Sequence, residues 1–116
     1  MPTYTKLAFS ASTNGQPILV AATSSSGTLI HTATSSTTTF DEIWIWAMNV
    51  SASAVNLTLQ WGGVASPLND MKLSVPASSG LYLIVPGLVM NNTLAVRAYA
   101  GNGTSITLSG FVNRIS

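Results

Sequence analysis

The stretch Asp41-Glu42-Ile43-Trp44-Ile45-Trp46-Ala47-Met48-Asn49-Val50 decides how this chain folds. Successive side chains of a β-strand point to opposite faces, so Ile43, Ile45 and Ala47 share one side while Trp44, Trp46, Met48 and Val50 share the other. A strand of an antiparallel sheet normally sets one apolar face on the core and one polar face in water. Here both faces are apolar. One set must be core, and the β-branched Ile43 and Ile45 suit the inside of a sandwich, whereas Trp and Met are types enriched at interfaces. Parity of the polar residues argues the other way: Asp41 and Asn49 fall with the isoleucines, and Glu42 falls with the tryptophans.

Outward from this stretch the same period-two grammar recurs in short runs separated by Gly, Pro, Asn and Ser clusters. Strands are predicted over residues 6–11, 18–23, 28–33, 42–51, 55–61, 71–75, 81–85, 93–100 and 105–115, and no helix of three turns is visible. Residues 55–61 alternate cleanly, with Val55, Leu57, Leu59 and Trp61 opposed to Asn56, Thr58 and Gln60. Residues 81–85 are apolar on both sides, with Leu81, Leu83 and Val85 opposed to Tyr82 and Ile84. Asn14-Gly15 and Gly101-Asn102-Gly103 offer the positive φ of tight hairpin loops, Pro86-Gly87 suits a type II turn, and the polar run Thr34 to Thr39 reads as a loop. Eight or nine strands in one unit of 116 residues make a single all-β domain, an antiparallel β-sandwich of jelly-roll or Ig-like kind.

Composition narrows the function classes. Only 6% of residues are charged, against a usual quarter, and the 30 Ser and Thr residues leave solubility to hydroxyls and amides. A net charge of +1 from four scattered basic residues cannot neutralise a run of phosphates, so no nucleic-acid partner is expected. No cysteine is present, hence no disulfide framework and no thiolate metal site. Met1-Pro2-Thr3-Tyr4-Thr5-Lys6 lacks the pattern of a signal peptide, and no window offers about 18 unbroken apolar residues, so synthesis in the cytoplasm and no membrane span are expected.

Catalysis needs convergent ionisable or nucleophilic groups, and the pool is small. A Ser-His-Asp arrangement would have to use His31 with Asp41 or Asp70, yet none of the 16 serines lies in a Gly-x-Ser-x-Gly elbow. His31 shares strand parity with Leu29 and Ala33 and reads as a hydrogen-bonded, partly buried histidine. Asp41-Glu42 is the only adjacent acidic pair, and its members point to opposite faces, so neither metal nor cofactor is expected. What remains is the second apolar face: Trp44, Trp46 and Met48, together with Tyr82 and Ile84, form the candidate interface, since Trp, Tyr and Met are enriched where subunits or partners meet. An aromatic sugar-binding platform using Trp44, Trp46 or Trp61 is the alternative, because exposed rings stack on apolar faces of glycans.

In Leu29-Ile30-His31-Thr32-Ala33, Asp41-Glu42-Ile43-Trp44-Ile45, Leu59-Gln60-Trp61-Gly62-Gly63, Val96-Arg97-Ala98-Tyr99-Ala100 and Gly110-Phe111-Val112-Asn113-Arg114-Ile115, the chain resembles small virion proteins of tailed bacteriophages. The resemblance runs from about Leu29 onward and consists of strand-and-turn patterns. It implies a β-sandwich accessory component of the particle, such as a capsid decoration or cement protein or a small neck or tail fibre part. It implies no active site. By the same analogy the protein is expected in the virion, as a homo-oligomer with a trimer the leading expectation, contacting the major capsid protein or other virion proteins, with glycan binding as the alternative activity.

Overall fold

The computed structural model describes residues 3–116, so Met1 and Pro2 of the N-terminal reading lie outside the described residues. Nine strands follow one another: β1 (Tyr4–Leu7), β2 (Ile18–Leu19), β3 (Thr28–Thr32), β4 (Phe40–Asn49), β5 (Val55–Trp61), β6 (Asp70–Val75), β7 (Ser79–Met90), β8 (Ala95–Ala100) and β9 (Ile106–Ile115). They form two antiparallel sheets, one ordered β1-β9-β4-β7 with β2 also on β9, the other ordered β3-β8-β5-β6. The pairs are nested: β1 with β9, β3 with β8, β4 with β7 and β5 with β6. A chain whose first half is folded back on its second and then rolled so that alternate pairs fall in opposite sheets is a jelly roll, which decides between the two expected sandwich topologies. Among the described residues no helix is long and apolar enough to cross a membrane.

The core is one cluster between the sheets, and β4 supplies its middle. Ile43, Ile45 and Ala47 are fully buried with Leu57 and Leu59 of β5, Val96 and Ala98 of β8, and Leu108 and Val112 of β9. The isoleucine face of β4 is therefore the inner face. The two polar residues that share its parity are buried as well, each with partners that make burial affordable: Asp41 at one end of β4 and Asn49 at the other. Asn49 donates from Nδ2 to the carbonyls of Ser53 (3.0 Å) and Val75 (3.1 Å) and accepts at Oδ1 from the Ser51 amide (2.9 Å), tying the end of β4 to the following turn and to β6.

Several local readings change. Pro86-Gly87 is not a turn but lies inside β7, which runs from Ser79 to Met90. Proline is tolerated there because β7 is an edge strand, where a missing ladder N–H costs little. Gly87 takes φ +86°, and the register slips beside it, so that Pro86 faces Trp44 while Leu88 faces Ile43. A second slip leaves Val85 opposite Ile45 but Leu83 opposite Trp46. Strict parity therefore fails along β7: Val85 is buried, Leu83 and Leu81 are exposed, and Ile84 packs against the core. Asn14-Gly15 does take positive φ, 54° and 85°, but the 101–103 turn does not use that conformation. Gly103 is required there by close approach, since a Cβ would stand 2.7 Å from the Ala21 carbonyl oxygen. On β5, Thr58 and Gln60 point away from the core as the alternation predicts, yet both are buried. Gln60 is covered by the segment before β3, accepting from the Gly27 amide at 2.7 Å and donating to Ser25 Oγ at 2.9 Å. The run from Thr34 to Thr39 is a loop, ordered by Ser36 Oγ, which accepts from the amides of Thr38 (3.0 Å) and Thr39 (3.2 Å).

Candidate functional site

The outer face of the β1-β9-β4-β7 sheet is where unusual chemistry meets solvent. Trp44 and Trp46 project from it, two residues apart on β4, and the pairing of Trp44 with Phe111 on β9 brings a third ring between them. The centroids of Trp44 and Trp46 are 6.3 Å apart, those of Trp44 and Phe111 6.1 Å, and those of Trp46 and Phe111 6.0 Å. The planes are inclined by 20°, 15° and 30° respectively, so the three rings form one near-parallel aromatic cluster. Trp44 also lies on Gly87, where a Cβ would come within 3.0 Å of its Cζ2; the glycine of the β7 bulge is the seat of the indole.

Polar groups frame the cluster. Glu42 accepts from the indole N–H of Trp44 at 2.7 Å and from Asn113 Nδ2 at 3.3 Å, which fixes both the carboxylate and the tryptophan. Lys6 of β1 places its ammonium 4.6 Å from the Phe111 ring centroid. A carboxylate and an ammonium thus stand at the border of an apolar centre that Leu83, 44% exposed opposite Trp46, and Leu81, 67% exposed, extend along β7.

The residues singled out from the sequence divide accordingly. Trp44, Trp46 and Met48 share this outer face and are half-buried. Tyr82 is exposed and pairs with Ala47 rather than with a tryptophan, while Ile84 sits in the bulge and packs against the core. Leu83, opposite Trp46, and Leu81 take the place on this face that alternation assigned to Tyr82 and Ile84. Trp61 belongs to the other sheet and packs on the core, away from Trp44 and Trp46. Phe111, Lys6 and Leu83 are the members that the sequence reading missed. Alternation sets Phe111 opposite in direction to Val112, but its place beside Trp44 depends on a pairing between distant strands.

His31 and Asp41 are brought together, in a different setting. His31 Nε2 lies 2.8 Å from Asp41 Oδ2, and His31 Nδ1 accepts the backbone N–H of Ser10 at 3.0 Å. Because Nδ1 is an acceptor, the ring proton sits on Nε2 and is donated to the carboxylate. The partner on the far side of the ring is the Ser10 amide rather than a serine hydroxyl, and the imidazole is only 2% exposed. Arg114 completes the group, with Nε 2.7 Å from Oδ1 and Nη2 3.0 Å from Oδ2, and the Thr34 amide donates to Oδ2 at 3.1 Å. Asp41 therefore accepts four hydrogen bonds from β3, β9 and the intervening loop. Burial pushes its pKa up, but the hydrogen bonds from Arg114 and His31 and the charge of Arg114 outweigh it and hold the carboxyl below its ordinary value. The Arg114 guanidinium is in turn held above its own. The geometry is that of a tie between the two sheets at one end of the sandwich. Among the described residues no group of three His, Cys, Asp or Glu side chains is placed to hold a metal ion.

Comparison of the chain with protein-family models, curated proteins and solved structures returns no match.

Proposed function

We propose that this chain is a non-enzymatic structural protein of a virion, of the capsid decoration or cement type, that associates with itself and seats on the particle through the outer face of the β1-β9-β4-β7 sheet. The observation that carries the reading is the Trp44-Trp46-Phe111 cluster, continued by Leu81 and Leu83, on a face turned away from the core. An apolar centre with Glu42 and Lys6 at its border has the anatomy of an interface, in which aromatic and Met side chains are buried and charges remain at the rim. With Glu42 and Lys6 at different borders of the patch, the positive border of one copy can meet the negative border of the next, the head-to-tail pairing that closes a ring such as a trimer. The virion setting rests on the resemblance in strand and turn patterns. Purified particles from the source, inventoried by mass spectrometry, test it: the chain is expected in a fixed ratio to the major capsid protein, and its absence from the particle refutes the assignment.

The same rings support a second reading, a glycan-binding or receptor-binding module with Trp44 and Trp46 as its platform. A glycan array with the native chain and a Trp44→Ala, Trp46→Ala double variant distinguishes the two.

A further inference from the structure

The outer face of the second sheet, on the opposite side of the sandwich, carries a different kind of surface. Three strands bring Lys72, Thr58 and Tyr99 into one cross-strand row, since Thr58 pairs with Lys72 on β6 and with Tyr99 on β8. The next row holds Ser74 and Asn56, also paired. It would continue past β8 at Gly101, whose amide donates to the Asn56 carbonyl at 2.9 Å and which has no side chain to fill the place. The outcome is an open cleft of about 490 Å³ lined by these residues and Thr23, with a second hollow of about 360 Å³ continuing from Asn56 and Gly101 toward Ser53 and Asn102.

We propose that this cleft binds a saccharide bearing a carboxylate, a glycan containing uronic or sialic acid. The lining has the chemistry of that ligand class. The hydroxyls of Thr23, Thr58 and Ser74 and the amide of Asn56 donate and accept, as a polyol does. Half-buried Tyr99 presents an amphipathic ring, apolar on its face and polar at its tip, on which a pyranose can lie. Lys72 is exposed, and among the described residues it forms no ion pair, so this ammonium is available to a ligand acid. The volume is ample for a short oligosaccharide and falls within the usual size of ligand clefts. The two outer faces of a sandwich point in opposite directions, so a subunit seated through its tryptophans leaves this cleft open; the site does not depend on the docking reading.

Gly101 supplies a clean test. A Cβ there meets only the Asn56 carbonyl oxygen at 4.0 Å, and its φ is not in the positive region, so Gly101→Gln fills the cleft without disturbing the core. The native chain, labelled for amide NMR, is titrated with galacturonic acid trimer and with sialyllactose, and with maltotriose and lactose as neutral controls. The acidic sugars are expected to shift Asn56, Thr58, Lys72 and Tyr99. Lys72→Gln should weaken binding about tenfold, as loss of one charge-assisted hydrogen bond does, and Gly101→Gln should abolish it while both variants melt like the native chain. Neutral sugars binding as well as acidic ones refute the role of Lys72. No shifts with either acidic sugar, binding unchanged in Gly101→Gln, or shifts confined to Trp44 and Trp46 refute the site.

Discussion

Replacing Asp41 by asparagine removes one charge from the tie between the sheets and leaves its donors in place. Asp41 is fully buried and takes four hydrogen bonds, two from Arg114 and one each from His31 and Thr34. An amide offers one acceptor oxygen and sets two N–H donors against Arg114, His31 or Thr34. Breaking a buried ion pair in this way costs about 3–5 kcal/mol. The lower end is expected here because the Arg114 side chain is 38% exposed and can recover water. About 3 kcal/mol corresponds to a fall in Tm of roughly 12 °C for a domain of this size. The pH dependence has a definite sign. The folded-state pKa of Asp41 is depressed, so its contribution is complete above the unfolded value of about 3.9 and is lost as pH falls through the folded value, that is, below about pH 4. Urea unfolding followed by tryptophan fluorescence from about pH 7 down to about pH 2 should show native and Asp41→Asn chains well apart at neutral pH and converging in acid. A variant within about 1 kcal/mol of the native chain at neutral pH, or a gap that persists unchanged into acid, refutes the reasoning.

Three further expectations follow from the packing. Ile45→Ala, at a fully buried site in the middle of β4, should cost about 2–5 kcal/mol in urea unfolding; a loss under about 1 kcal/mol would mean that the isoleucine face is not the core. Gly87→Ala forces a side chain into φ +86° and against Trp44, so a loss of about 1–2 kcal/mol with altered tryptophan emission is expected, and an unaltered spectrum contradicts the seating of the indole. Elemental analysis should find no stoichiometric metal, and thermal melts should be indifferent to chelators; one zinc or calcium per chain overturns this.

How much of this was legible beforehand differs from strand to strand. On β4 the side-chain types sorted the faces correctly even though polar parity pointed the other way. The reason is that Asp41 and Asn49 lie at the two ends of the strand, where loops and neighbouring strands can reach a buried polar group, whereas Ile43, Ile45 and Ala47 hold its middle. On β7 the same alternation misplaced Tyr82 and Ile84, because Gly87 and Ile84 each shift the register by one residue and a shift of one reverses every face beyond it. The bulge had no signature of its own: Pro-Gly reads as a turn unless the strand is known to be an edge. Contacts between distant segments were the least visible. Arg114 meets Asp41 across 73 residues, Phe111 reaches Trp44 through β9, and the cleft over β5 depends on Gly101 falling beside Asn56. These are consequences of nested jelly-roll pairing, which local periodicity does not encode.

The claim that the aromatic face assembles this protein is tested most directly by sedimentation equilibrium of the native chain beside the Trp44→Ala, Trp46→Ala double variant, across a wide dilution. The native chain is expected at a multiple of 12.0 kDa, a trimer foremost. The variant is expected to keep its β-sheet circular dichroism and to be weakened in assembly by about 2 kcal/mol or more per tryptophan, the range of interface hot spots, so that it sediments as a single chain. A native chain that stays at 12.0 kDa at every concentration, or a variant that assembles as well as the native chain, contradicts the account.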